Sequence, residues 1–110
     1  MTDTTDPALA AIAEFIRLRE AADAAERANL EAIEGGDFRA AEERFGEANT
    51  AAFFARDAAF KTEPTTIDGA VALLRLVAAT VAELGHDPDH QPTLAGAIRA
   101  AANTIEGARS

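Results

Sequence analysis

His86, Asp87, Asp89 and His90 stand around Pro88 within five residues of one another, a set of two imidazoles and two carboxylates able to hold a divalent metal. Pro88 restricts the residue before it to extended backbone, which would shape such a loop. The same residues also make an ordinary Asp and Pro turn, with a histidine well placed at the carboxyl end of a preceding helix. The first reading assigns a metal site to these four residues and the second assigns none.

A second constellation emerges only on a helical wheel. In the first long segment, Leu9, Ile16, Asp23 and Leu30 form one seven-residue series, and Ile12, Arg19, Glu26 and Ile33 form another. An otherwise apolar seam is therefore ionic at its middle. The next segment repeats the pattern, with Phe38, Phe45, Phe53 and Phe60 on a face that also carries Glu42, Asn49 and Arg56. The expectation is a buried polar layer of Arg19, Asp23, Glu26, Glu42, Asn49 and Arg56. Such a layer either lines a carboxylate site inside a bundle or forms a salt-bridge layer that sets helix register. Di-iron bundles need Glu-x-x-His pairs on two helices, and here both histidines fall in a loop, so no di-metal catalytic centre is expected. A hard cation held by oxygen ligands stays open at this point.

The elements that would position these residues are marked by caps and breakers. Asp6 as N-cap and Pro7 at the first helical position open a helix over about 7–34, which Gly35 and Gly36 stop. Asp37 caps a second helix over about 38–62, ending before Pro64. The short connection makes the two an antiparallel hairpin in which partner numbers add to about 71, setting Asp23 near Asn49. Thr65 as N-cap and Asp68 open a third helix over about 66–84, apolar around most of its circumference and expected to be the most buried. Pro92 or Thr93 starts a fourth, over about 93–106, which Gly107 ends. The fold class read from these signals is all-α, four-helix and bundle-like, in one domain over 1–110 with 1–6 as a disordered amino terminus.

The run Glu63-Pro-Thr-Thr-Ile-Asp-Gly-Ala-Val-Ala-Leu-Leu-Arg75 resembles a motif of short, uncharacterised all-helical proteins of proteobacteria and their phages. In that group two helices precede a Pro-x-Thr, a glycine about five residues after the proline, and an apolar helix that carries an arginine. The resemblance implies the helical fold and a bacterial origin. It transfers no activity and no catalytic residue. In this chain Pro64 serves as a breaker, and Gly69 permits a close approach in the first helical turn.

Composition narrows the functional classes. The chain has 110 residues, 29 of them alanine, and only 24 large apolar side chains, so its core is thin and burial against a partner is expected. Nineteen acidic against ten basic residues give a net charge of −9, which repels phosphate backbones and anionic membrane surfaces. No nucleic-acid partner and no membrane are expected. The chain lacks cysteine, which removes thiolate chemistry, and no phosphate-cradling glycine loop or serine-nucleophile motif occurs. No cofactor is expected. The acidic, polar start Met1 to Asp6 does not read as a secretory signal, and a cytoplasmic address is the expectation.

Phe54 stands out because its helix face otherwise carries Glu43, Glu47, Thr50, Ala51, Ala58 and Lys61. With Ala51 and Ala58 it could centre an interface. Gly46, in mid-helix, suggests a close helix crossing. Three functions fit these features: a non-catalytic helical interaction or oligomerisation module, most simply a homodimer; a small metal- or ligand-binding bundle; and an acidic regulator that occupies a basic partner protein.

Overall fold

Alanine, glutamate, arginine and leucine fill the segments between breakers, and each segment is a helix. The computed structural model describes residues 6–35, 38–85, 89 and 91–109. Four helices follow in order: α1 (Pro7–Gly35), α2 (Phe38–Phe60), α3 (Ile67–Leu84) and α4 (Gln91–Arg109), with no strand among the described residues. The fold is all-α and bundle-like. Three boundaries differ from expectation: α4 opens at Gln91, ahead of Pro92 or Thr93, and two helix ends are moved. The second helix stops at Phe60, where Thr62 turns back and its hydroxyl donates to the Ala58 carbonyl at 2.7 Å. The fourth runs through Gly107 to Arg109, because a glycine ends a helix only where the chain takes a left-handed conformation, and Gly85 alone among the described residues has positive φ, at 69°.

α1 and α2 pack as an antiparallel hairpin in the expected register, with the Arg56 guanidinium 5.8 Å from the Phe15 ring centroid. Of the two heptad series, Ile12 of one is buried as expected, and the other lies one position from where it was placed. Ala8, Phe15 and Ala22 are buried along the seam and Asn29 is half-buried, whereas Leu9, Ile16 and Leu30 are exposed at 37 %, 50 % and 59 %. The seam is lined by Ala8, Ala22, Ala41 and Ala52 beside one large side chain, Phe15, and the aliphatics Leu9, Ile16 and Leu30 are turned to its edge.

α3 and α4 form a second, shorter hairpin laid over the end of the first where α1 begins and α2 finishes. The core lies between the two hairpins. It gathers Ile12, Ala59, Phe60, Ala70, Leu73, Val77, Ala97 and Ala101, with Leu94 and Ile105 packed against it. α3 supplies the one large side chain that is fully buried among the described residues, Leu73. It is nevertheless not covered all round: Ile67, Val81 and Leu84 remain exposed at 38–47 %.

A single carboxylate ties the hairpins together. Asp6 caps α1 by accepting from the Ala8 amide through Oδ1 at 2.8 Å. Its Oδ2 accepts from the Thr65 and Thr66 amides at 3.1 and 2.8 Å and from the Thr66 hydroxyl at 2.6 Å. Thr66, rather than Thr65, is the N-cap of α3, and its hydroxyl oxygen accepts from the Gly69 amide at 3.0 Å. Thr66 takes the cap because its hydroxyl stands three residues before Gly69, whose amide it accepts, with extended backbone at φ −133° and ψ 161°. A Cβ on Gly69 would fall 2.6 Å from the Asp6 Cγ, which is the close approach expected of this glycine. Asp6 is 2 % exposed and belongs to the folded body, unlike the disordered end expected for residues 1–6; residues 1–5 lie outside the described residues. On the other side of the same linker, the Thr104 hydroxyl of α4 donates to the Pro64 carbonyl at 2.7 Å.

Candidate functional site

α1 runs about 43 Å and α3 about 27 Å at 1.5 Å per residue, so the second hairpin cannot cover the first. The two helices run in the same direction, touching at Asp6 and Thr66 and again at Arg19 and Glu83. Where α3 ends at Leu84, the covering layer stops. The face of α1 and α2 beyond that step is an open groove of about 380 Å³, lined by Phe15, Arg19, Asp23, Glu26, Phe45, Asn49, Phe53, Arg56, Glu83 and Leu84 among others.

The ionic middle of the seam coincides with the place where cover is lost. Five of the six residues expected in a buried polar layer line this groove, and Glu42 does not. The layer is not buried. Asp23, Glu26, Glu42 and Asn49 are exposed and Arg19 is half-buried; Arg56 alone is buried, at 8 % exposure. Long charged side chains tolerate this position because water reaches it.

Arg56 is held by rings more than by acceptors. Its guanidinium lies 5.8 Å from the Phe15 centroid and 5.9 Å from that of Phe53, a cation between two aromatic faces. Its ion pair with Glu83 is long, 3.9 Å from Nη1 to Oε1. The stronger partner of Glu83 is Arg19, whose Nη1 donates to Oε2 at 3.1 Å, and Arg19 also stands 3.9 Å from Asp23. Glu83 is the groove residue that heptad reasoning missed. A signal existed: a carboxylate in the last turn of a helix opposes the helix dipole and needs a cation from elsewhere.

The other candidates fare differently. Phe54 is 65 % exposed on the α2 face that also presents Glu43, Gly46, Glu47, Thr50 and Ala51, and it meets Phe53 edge to face at 5.9 Å. Ala51 beside it is half-buried and Ala58 exposed. Gly46 marks no close crossing, since a Cβ there would meet nothing within 4 Å. Of the proposed metal ligands, His86, Asp87 and His90 lie outside the described residues and Asp89 is exposed. Among the described residues no group of three or more acids or histidines converges as a metal site. Asp23 and Glu26 share their groove with two arginines, which offsets the charge a cation would need. No described helix is long and apolar enough to cross a membrane.

Chemically, the groove combines two arginines, both paired with Glu83, with the carboxylates of Asp23 and Glu26 and the rings of Phe15, Phe45 and Phe53. Compared with known protein families, with curated proteins and with solved structures, the chain matches none.

Proposed function

We propose that this chain is a cytoplasmic, non-catalytic helical module whose role is self-association, most simply as a homodimer. The observation that carries the reading is the bare far half of the first hairpin. From Asp23 to Asn49, Ala41 is the only buried residue among those whose burial is described. Among the described residues of that half, the seam is Ala41 with half-buried Ala25, Asn29, Phe45 and Ala48, a thin one for helices that owe most of their stability to a packed apolar face.

The whole surface agrees. A compact chain of 11.5 kDa exposes about 5,800 Å². This one exposes 7,202 Å², and its radius of gyration is 16.7 Å where about 13 Å suffices for its length. The excess, about 1,400 Å², is larger than the roughly 800 Å² that each partner gives to a standard interface. Nine large hydrophobic side chains, Leu30, Phe53, Phe54 and Leu84 among them, are exposed on the described residues. The net charge of −9 keeps the module away from nucleic acid and anionic lipid.

The test is thermal unfolding at several protein concentrations. Mass action makes the Tm of a chain that unfolds from a dimer climb with concentration. A Tm that rises over a hundredfold concentration range supports the reading, and a constant Tm overturns it.

A further inference from the structure

We infer that the second copy docks on the groove face, hairpin against hairpin and antiparallel, about a two-fold axis passing near Glu26 and Phe45; this rests on the self-association reading and assigns its surface. Each chain has the outline of a step. Two layers of helix run as far as Leu84, and a single layer, the far half of α1 and α2, continues beyond. Two such steps fit together when the single layers stack face to face and point opposite ways. Each extension then abuts the end of the partner's α3 and completes the second layer. Pointing the same way, the two α3–α4 layers would occupy the same space.

The side chains on this face suit the arrangement. Leu30, 59 % exposed, lies at one end of the groove face, one heptad beyond Asp23. Phe53 and Leu84, 46 % and 40 % exposed, line the other end. With α1 stacked on the partner's α1, the axis brings Leu30 of each copy toward Ala22 of the partner subunit, beside Leu84 of the partner subunit, so the same residues serve both sides, as an isologous contact requires. It also sets Glu42 of one copy beside Asn49 of the partner subunit. Arg56, whose guanidinium sits between two rings with only a long ion pair to Glu83, is sealed from water by this contact. The Phe54 face, with Glu43, Glu47 and Thr50 around it, lies on the other side of α2 and serves as the control surface.

The experiment uses the full chain and two kinds of readout. Leu30→Glu is expected to weaken dimerisation in sedimentation velocity by more than about tenfold, the loss typical of truncating an apolar anchor that an interface buries, while Phe54→Glu leaves it within about threefold. Because the chain has no cysteine, Glu26→Cys gives a clean second reading. Under mild oxidation it should cross-link to its own copy near the axis, and Phe54→Cys should not. A dimer that Phe54→Glu dissociates and Leu30→Glu spares overturns the groove face and leaves self-association standing. A parental chain that is monomeric throughout overturns both.

Discussion

The Asp6 carboxylate accepts the Thr66 hydroxyl at 2.6 Å across sixty residues of sequence, and through it one side chain caps α1 and fastens the start of α3. Asp6→Ala removes the acceptor for three backbone amides and one hydroxyl in a site that is 2 % exposed. The expected cost is about 2–4 kcal/mol, from a lost N-cap together with stranded donors. Chemical denaturation of the variant and the parent measures it. A cost under about 0.5 kcal/mol, the level of an ordinary surface change, would show that the staple contributes little.

The same carboxylate sets a pH dependence. Burial pushes the Asp6 carboxyl up, but the hydrogen bonds from the Thr66 hydroxyl and from the Ala8, Thr65 and Thr66 amides outweigh it and hold the group below the usual 3.8. A folded pKa below the unfolded one stabilises the fold above the unfolded value. That stability is lost as pH falls through the folded value. The parent should therefore lose more stability than Asp6→Asn as pH drops below about 4, and denaturation midpoints at pH 6 and pH 3 would show it. Parallel losses in the two proteins would contradict the assignment.

Two glycines should respond in opposite directions to alanine. At Gly69 the new methyl meets the Asp6 carboxylate, so Gly69→Ala should cost about 1–3 kcal/mol, the range for overpacking. At Gly46 the space is open and the helix gains an alanine, so Gly46→Ala should add up to about 1 kcal/mol. Thermal unfolding of both variants at one concentration gives the comparison, and a gain at Gly69 would contradict the packing described for the linker.

Leu73→Ala tests where the core is. It removes the fully buried leucine between α3 and its neighbours, at an expected cost of about 2–5 kcal/mol. Glu83→Gln, by contrast, should cost no more than about 1 kcal/mol and less at high salt, because the side chains of Arg19 and Glu83 are 40 % and 44 % exposed. A Glu83→Gln cost as large as that of Leu73→Ala would mean that Arg56 depends on this carboxylate more than on its two rings.

Helix count, hairpin register and the starts of α1 and α2 were legible in the sequence because they rest on local chemistry: Asp6 before Pro7, Asp37 before Phe38, and apolar residues at helical spacing. What was not legible depends on which helix covers which face. The heptads through Leu9 and through Ala8 differ by one position, and only the packing against α2 decides between them. The polar residues Arg19, Asp23 and Glu26 looked like a buried layer because sequence cannot show that α3 ends beside them. Glu83 was invisible as their partner for the same reason, being brought to Arg19 and Arg56 by the docking of the second hairpin. Asp6 was read as a cap for its own helix and not as a cap for α3, since the second role needs sixty residues of chain to return.

The exposed far half of the first hairpin makes self-association the central claim, and sedimentation equilibrium of the unmodified chain from low to high micromolar concentration tests it most directly. The expected result is a mass rising to twice the 11.5 kDa of the chain. A mass that stays at 11.5 kDa over the whole range would contradict the account.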